Sequence, residues 1–384
     1  MKNHFDSILD RRNSDSGKWN RYDQDVLPLW VADMDFKSAE PILEALQKRV
    51  NHGVFGYANK PEHLIQAVIA WLWDQHQWKI SPDDVIISPN VISSFNTTVQ
   101  ALTNPGEGIL FQTPAYPPFF GVEKNAELIQ QESVLQRSSN GTFSIDFEEF
   151  ESRITEQTRI FLLCNPQNPT GRVFSRAELE KLAEICLKHN LYICSDEIHS
   201  DLIYSESKHI PIASLSPEIA ARTVTQIAPS KTFNIAGLST SITIIQNEEI
   251  RKKFELAKRG ISGGVNLFGE TAADAAYRQA KPWLEDLLVY LQDNRDFVLE
   301  YVRNELPGIS MQKPEGTFLG WLDCRESKIQ GNPHEFFLEN ARVALNDGST
   351  FGKPGEGFVR LNFGCPRGVL IQALDQMKAA LLKL

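Results

Sequence analysis

Short apolar runs alternate with amphipathic helical segments along most of the chain, and this alternation limits the folds available to it. The runs with strand character are DVIIS (84–88), ILFQT (109–113), RIFLLC (159–164), LYICS (191–195), VTQIA (224–228) and SITIIQ (241–246). Between the third and fourth runs, FSRAELEKLAEICLKHN (174–190) has apolar residues at helical spacing after a serine. Strand, helix, strand in this order implies parallel pairing with a right-handed crossover. The pattern therefore predicts a doubly wound, mostly parallel α/β sheet covered by helices on both faces.

After about residue 285 the pattern changes, which indicates a second and smaller α+β domain. A long helical stretch (282–306) is followed by the strands TFLGWLD (317–323) and GFVRLNF (357–363) and by a terminal helix. The length of 384 residues suits two domains. We expect a large α/β domain at residues 48–285 and a small α+β domain built from residues 1–47 and 286–384.

Charge and cysteine usage exclude several classes of protein. A formal net charge of -10 argues against nucleic-acid binding, because phosphates require a basic surface. The five cysteines lack CxxC spacing and fall mostly in apolar runs, which predicts buried thiols in a reducing compartment. The eight histidines are dispersed, so no metal site is expected. The N-terminal stretch lacks the apolar core of a signal peptide, and no run reaches about 18 apolar residues. We expect a cytoplasmic protein without a membrane span.

Polar residues follow three of the predicted strands at the point where each strand ends. NPQNPTG (165–171) follows the third strand, DEIHSD (196–201) follows the fourth, and the fifth is followed by PSK, which ends in Lys231. Because ligands of doubly wound sheets lie at the carboxyl ends of the strands, we expect an amide, an acid and an amine around one crevice.

Each of these features has a simpler interpretation when taken singly. Asn, Pro and Gly form turns, so NPQNPTG could be turn chemistry alone. Asp196 and Glu197 could be a solvated strand end, and Lys231 could be a surface lysine. Their joint occurrence at successive strand ends favours a functional site.

These segments in this order resemble the fold-type I pyridoxal-phosphate enzymes, the aspartate-aminotransferase-like superfamily. NPQNPTG and the pair Ser230 and Lys231 carry that resemblance. LPLWVADMDF (27–36) and SDEIHSDL (195–202) are similar to the MalY/PatB branch of cystathionine β-lyase-like carbon–sulfur lyases. The resemblance covers nearly the whole chain and implies a seven-stranded sheet in the large domain.

The resemblance also implies pyridoxal 5'-phosphate as the cofactor and assigns roles to particular residues. Lys231 would carry the cofactor as a Schiff base and move the α-proton of the substrate. Asp196 would keep the pyridine nitrogen protonated, and Tyr116 would stack on the ring. Asn168 would hydrogen-bond the phenolic oxygen of the cofactor. Arg360, together with Asn168, would bind the substrate carboxylate as a planar fork.

Further cofactor contacts are implied around the phosphate and the ring. The phosphate would rest on backbone amides at a helix start. The residues assigned to these contacts are Val91, Ile92, Ser93, Ser230, His199 and, from a neighbouring subunit, Tyr57. A contact from Tyr57 of a second copy implies a homodimer with shared active sites.

The implied reaction is α,β-elimination from L-cystathionine or a related cysteine S-conjugate, which gives a thiol, pyruvate and ammonia. An aminotransferase shares every cofactor contact, and a branch member with an added regulatory protein-binding role is a further alternative. Three departures from the aminotransferase pattern agree with the lyase branch: His199 replaces a tyrosine, Ala228 a serine and Ser239 an arginine.

Two departures from the lyase branch itself concern loops near the predicted site. Asn90 stands where the branch has a glycine in the phosphate turn, and LNDGSTFG (345–352) replaces a Glu-Pro-Gly run. Because asparagine tolerates left-handed backbone angles, we expect the phosphate turn to keep its shape.

Overall fold

The computed structural model describes residues 4–59, 61–138, 141–260 and 262–384. Residues 1–3, which begin the N-terminal stretch considered above, lie outside the described residues. The strands are β1 Leu27–Pro28, β2 Val85–Ser88, β3 Gly108–Thr113, β4 Ile129–Val134, β5 Gln136–Arg137, β6 Phe143–Ser144, β7 Thr158–Cys164, β8 Tyr192–Asp196, β9 Thr223–Ile227, β10 Ser241–Ile244, β11 Ser310–Met311, β12 Leu319–Asp323, β13 Val343–Ala344, β14 Asn346–Asp347 and β15 Phe358–Asn362. The helices are α1 Glu40–His52, α2 Glu62–His76, α3 Val91–Leu102, α4 Val122–Ala126, α5 Phe147–Ser152, α6 Arg176–Lys188, α7 Pro217–Ala220, α8 Pro229–Thr232, α9 Glu248–Lys258, α10 Leu267–Gln279, α11 Lys281–Glu305, α12 Pro333–Phe336 and α13 Arg367–Leu381.

The larger sheet has seven strands in the order β2-β10-β9-β8-β7-β3-β4. Only β10 runs antiparallel to its neighbours in this sheet. The predicted parallel pairing of the third and fourth apolar runs is confirmed, with Ile160 opposite Tyr192. The carboxyl ends of β3, β7, β8 and β9 therefore meet at one edge, as predicted.

The crossover between β7 and β8 is helix α6, and its start is fixed by a capping box. The Ser175 hydroxyl accepts the backbone N–H of Glu178, and the Glu178 carboxylate accepts the backbone N–H of Ser175. Leu179, Leu182 and Ile185 form the buried face of the helix against the sheet. The helix predicted for this stretch is confirmed.

Side chains of the larger sheet alternate between two cores. Phe161, Leu163 and Ile193 belong to the core on one face. Leu162 and Cys194 belong to the core on the other face. Because successive residues of a strand point to opposite faces, Asp196 points to the same side as Cys194.

A second sheet, antiparallel and in the order β11-β12-β15-β14, lies in the C-terminal part together with α11 and α13. The N-terminal segment joins this part through β1, which pairs in parallel with β13. The predicted domain boundaries at 47/48 and 285/286 fall inside α1 and α11. The division into two domains stays a prediction.

The five cysteines are buried free thiols, as the sequence predicted. Within the described ranges, no helix combines the length and the apolar character needed to cross a membrane.

Candidate active site

A cavity of about 380 Å³ opens at the carboxyl ends of the parallel strands. Most of the residues assigned to the site from the sequence line it: Val91, Ile92, Tyr116, Asn168, Asp196, His199, Ser230, Lys231 and Arg360. Ser93 and Tyr57 do not line this cavity. The fold thus brings together residues that lie up to 269 positions apart in the chain, from Val91 to Arg360.

Lys231 lies on the short helix α8, directly after β9. Its Nζ donates a hydrogen bond to the Ala32 carbonyl at 2.7 Å. Burial lowers the pKa of the Lys231 amine to about 8, and the positive charge of Arg360 lowers it as well, whereas Asp33 and Asp196 raise it. A neutral amine is the form that attacks an aldehyde, so this environment prepares Lys231 for Schiff-base formation.

Asp196 is the last residue of β8 and is buried. Burial, together with the charge of Glu197, raises the pKa of its carboxyl to about 7. The hydrogen bond from the backbone N–H of Ile198 and the positive charge of Lys231 act in the opposite direction. Among the described residues, its carboxylate accepts one hydrogen bond, from Ile198 N at 3.1 Å. The second carboxylate oxygen is therefore available to a protonated group in the cavity.

Arg360 lies on β15 and is held by acceptors that carry no charge. Its Nη1 donates to Asn168 Oδ1 at 2.9 Å, and its Nη2 donates to Asn346 Oδ1 at 2.6 Å and to the Trp30 carbonyl at 3.0 Å. Its Nε is buried and, within the described part of the chain, has no partner. Burial lowers the pKa of the guanidinium to about 10, which leaves it charged at neutral pH. A buried cation without an anionic partner is costly, so the site suits a carboxylate ligand.

The NPQNPTG turn places Asn168 against Arg360. Gln167 Nε2 donates to the Pro114 carbonyl at 2.7 Å, and Thr170 N donates to Gln167 Oε1 at 2.9 Å. Gly171 has a φ of +72°, and a Cβ there would lie 2.6 Å from Pro314 Cβ. The turn therefore requires glycine at this position and also serves to orient Asn168.

His199 and Tyr116 form neutral parts of the wall. Burial lowers the pKa of His199 to about 3, assisted by the charges of Lys231 and Arg360, so the imidazole is neutral. Its Nδ1 is buried without a partner among the described residues. Burial raises the pKa of the Tyr116 phenol, which also stays neutral.

The phosphate turn before α3 differs from the expectation. Asn90 has φ -161° and ψ 163°, an extended conformation, so the expected use of left-handed angles is wrong. Asn90 is instead the N-cap residue, which normally adopts extended angles, and its Oδ1 accepts the Ser93 N–H at 2.8 Å. The Ser93 amide is thus engaged by its own helix cap. The amides of Val91 and Ile92 belong to the first turn, which has no intrahelical partners for its N–H groups.

Several lining residues were not assigned to the site from the sequence. They are Trp30, Val31, Ala32, Pro89, Asn90, Pro117, Pro118, Cys164, Ile198, Ala228, Ala236, Ser239, Thr240, Asn346 and Phe351. Ala32 contributes its backbone carbonyl to the site. Every residue has such a carbonyl, so the sequence does not mark this contact. Asn346 lies in the LNDGSTFG segment, and only the pairing of β14 with β15 brings it to Arg360.

These residues fit pyridoxal phosphate. The cavity holds a lysine amine of lowered pKa, a buried carboxyl with a free oxygen, the start of a helix for an anion and a guanidinium that lacks an anionic partner. The fold and this site define a class of protein, the fold-type I pyridoxal-phosphate enzymes.

Comparison with known proteins then gives the family. Residues 24–377 match the model of the family described as aminotransferase class I and II, and the chain belongs to that family. The sequence is 41% identical to cystathionine beta-lyase PatB of Bacillus subtilis (strain 168), over 98% of this chain and 99% of that protein.

Two solved structures are similar over nearly their full length. A PLP-bound putative aminotransferase from Clostridium difficile 630 has a TM-score of 0.95 and 40% identity, and the match covers 98% of this chain and 99% of the other. Cystalysin from Treponema denticola, which contains pyridoxal 5'-phosphate, has a TM-score of 0.94 and 34% identity, with 99% and 98% covered. Pyridoxal phosphate is the cofactor of this family.

Proposed function

We propose that the protein is a pyridoxal-phosphate-dependent carbon–sulfur β-lyase, which cleaves L-cystathionine or a related cysteine S-conjugate by α,β-elimination. With cystathionine and water, the products are homocysteine, pyruvate and ammonia. The observation that carries this proposal is the convergence of Lys231, Asp196 and Arg360 on one cavity. The 41% identity to a protein named cystathionine beta-lyase supports the choice of substrate class.

Each of the three residues has a separate task in this proposal. Pyridoxal phosphate, when bound, supplies a ring that withdraws electrons from the α-carbon of an attached amino acid. Lys231 would hold the cofactor as a Schiff base and, as a free amine, would accept the α-proton at Nζ. Asp196 offers its free carboxylate oxygen to the protonated ring nitrogen. Arg360 would bind the substrate carboxylate through its guanidinium.

The rest of the wall favours a sulfur-containing side chain over an acidic one. Among the described lining residues, the positively charged groups are Lys231 and Arg360, and both already have tasks. Trp30, Val31 and Phe351 give the wall an apolar character that suits a thioether. Among the described lining residues, the side-chain carboxylate of aspartate would find no free cation, whereas the distal carboxylate of cystathionine is accompanied by its own ammonium group.

The first test is pyruvate release from L-cystathionine by the purified protein, with pyridoxal phosphate and without any keto acid. We expect continuous pyruvate formation, which a lactate dehydrogenase assay follows. Lys231→Ala should release no pyruvate at a detectable rate. Turnover that depends on an added keto acid would instead identify an aminotransferase and contradict the lyase proposal.

The active unit in this proposal is a homodimer with shared sites. The Tyr57 side chain is fully exposed and, with Val54 and Phe55, forms a run of exposed apolar side chains. Asn90 and Ile92, at the phosphate end of the cavity, are also exposed. A run of exposed apolar side chains suits cover by a second copy. Tyr57 of one chain would then complete the phosphate site of the other.

Two further assignments belong to the same proposal. The buried free thiols support a cytoplasmic location, because reducing compartments keep cysteines unpaired. The two sheets support a large domain at 48–285 and a small domain formed by 1–47 and 286–384, with α1 and α11 shared between them.

A further inference from the structure

A buried pair of ionisable side chains lies behind Asp196, on the opposite side of the sheet from the cavity. Glu197 Oε2 and His209 Nε2 are 2.7 Å apart, and both side chains are only 1% exposed. Asp196 faces the cavity, whereas the residues on either side of it, Ser195 and Glu197, do not line it. This alternation is that of an extended chain, in which successive side chains point to opposite faces.

The hydrogen bonds around His209 orient its ring. The backbone N–H of Phe174 donates to Asn165 Oδ1 at 3.0 Å, which orients the Asn165 amide. The Asn165 NH₂ group therefore faces His209 Nδ1, at 3.5 Å. Nδ1 therefore faces the Asn165 amide, and Nε2 is the ring nitrogen that donates to Glu197. His209 thus gives Glu197 a hydrogen bond through Nε2.

Glu197 is surrounded by donors alone, as an ionised carboxylate requires. Its Oε1 accepts the Ser195 hydroxyl at 2.8 Å and the Ile212 N–H at 3.3 Å, and its Oε2 accepts from His209. The His76 ring contacts the His209 ring at a centroid distance of 5.3 Å. Burial lowers the pKa of His76 to about 3, so His76 adds no positive charge to the group. Glu197 thus keeps a buried negative charge one residue from Asp196.

We propose that Glu197 is an electrostatic positioning residue for Asp196: its fixed negative charge stabilises the proton shared between Asp196 and the ring nitrogen of the cofactor. This inference rests on the proposed function insofar as Asp196 is the partner of that nitrogen. Glu197 itself does not touch the cavity.

The other groups near Asp196 do not supply this charge. Burial raises the pKa of the Cys164 and Cys194 thiols and of the Tyr116 phenol, so all three are neutral. Lys231 contributes a positive charge of opposite effect. Among the described groups around Asp196, Glu197 is the one that raises its proton affinity by charge. In the interior a neighbouring unit charge shifts a pKa by about one unit.

The test compares three forms of the holoenzyme by visible absorbance between pH 6 and pH 10. The protonated and the unprotonated lysine–cofactor linkage absorb in different bands, so the ratio of the two bands gives the protonated fraction. A nearby negative charge increases this fraction. Glu197→Gln should shift this titration to lower pH by about one unit and so reduce the protonated fraction at each pH. We expect kcat to fall about tenfold with KM nearly unchanged, because substrate binding does not involve Glu197.

Ser195→Ala is the matched control. It removes one hydrogen bond to Glu197 but keeps the negative charge, so the band ratio should equal that of the wild type. An unchanged ratio in Glu197→Gln would overturn the proposal. Equal shifts in the two variants would also overturn it, because they would reveal a geometric effect and not a charge effect.

A second variant covers the possibility that Glu197→Gln does not fold. Glu197→Leu with His209→Phe removes both partners of the buried pair together, which proteins tolerate better than removal of one partner. The same downward shift is expected, and its absence would contradict the proposal. A wild type that binds the cofactor but releases no pyruvate would contradict the proposed function and leave this spectral comparison intact.

Discussion

At the scale of single residues, the site works by placing charges where water cannot screen them. Arg360 lowers the proton affinity of the Lys231 amine, while Asp196 and Asp33 raise it. The same Arg360 keeps a buried positive charge without an anion, held by amide and backbone oxygens. Both effects depend on burial, since exposed charges at these distances would interact only weakly.

The lowered pKa of Lys231 predicts how the cofactor-free protein takes up pyridoxal phosphate. With a pKa of about 8, the neutral amine is the minor form below pH 8 and the major form above it. The rate of covalent attachment should therefore rise with pH to a plateau above about pH 9 and be about 100-fold lower at pH 6. Stopped-flow absorbance measures this rate, with butylamine as the reference for the ionisation of the cofactor.

Arg360→Gln provides the matched variant for this prediction. Removal of the positive charge should move the midpoint of the rate profile to higher pH, because Arg360 lowers the pKa of Lys231. A rate that continues to rise through pH 10 in the wild type would mean an ordinary lysine and contradict the predicted environment.

At the scale of elements, the start of α3 serves two purposes. The helix needs a cap for its first amides, and Asn90 supplies one through the hydrogen bond to Ser93 N. The same turn lines the cavity where the resemblance to the family places the phosphate. In the cofactor-free protein, the Asn90 cap stabilises helix α3 through its hydrogen bond with Ser93 N. The same hydrogen bond makes this N–H unavailable as a donor to the phosphate.

Asn90→Gly should therefore strengthen cofactor binding. Glycine leaves Ser93 N free for a phosphate oxygen, and one such hydrogen bond of about 1 kcal/mol corresponds to about fivefold in the dissociation constant. The cofactor-free variant should lose only a few tenths of a kcal/mol in free energy of unfolding. Equilibrium absorbance titration and urea unfolding measure the two effects.

The control for this prediction is Asn247→Gly. Asn247 caps α9 in the same way, through Glu249 N at 2.9 Å and Ile250 N at 3.2 Å, and does not line the cavity. Its replacement should leave the cofactor dissociation constant unchanged. Weaker binding in Asn90→Gly would indicate that the Asn90 amide itself supports the phosphate.

At the scale of the whole molecule, the single chain leaves its own site open. The side chain of Tyr57 is fully exposed and lies outside the cavity. Phe55 is more than half exposed and contacts Phe268 at a ring distance of 5.4 Å, beside a cleft that Tyr57 also lines. Apolar groups of this size are seldom left in water, which supports the proposed dimer.

Shared sites predict that two damaged chains repair one another. Tyr57→Ala should weaken pyridoxal phosphate binding about tenfold, and Lys231→Ala should prevent its attachment. A mixed dimer of the two variants contains one site with both Lys231 and Tyr57, so that site should regain the cofactor affinity of the wild type. Co-expression with two affinity tags isolates the mixed dimer for absorbance titration. A monomer by light scattering, or affinity equal to that of Tyr57→Ala alone, would contradict shared sites.

The class of fold and most of the chemistry could be predicted from the amino-acid sequence. The continuous apolar runs identified six of the seven strands of the larger sheet to within two residues at each end, because buried strands require apolar side chains on both faces. They missed the edge strand β4, whose sequence IQQESV is mostly polar. The strand-end segments identified Asn168, Asp196 and Lys231, because parallel strands bring their carboxyl ends to one edge. Motif resemblance added Arg360, which lies far away in the chain.

Contacts that depend on distant parts of the chain or on the backbone could not be predicted in this way and were revealed by the folded structure. The Ala32 carbonyl that accepts Lys231 Nζ is 199 positions away, and no side chain marks it in the sequence. Asn346 meets Arg360 because β14 pairs with β15. Asn90 took an extended and not a left-handed conformation, because its side chain caps α3. Glu197 became a buried charge only through His209 and Ser195. Local patterns specify elements, whereas hydrogen-bond partners and charges depend on what the folded chain places beside them.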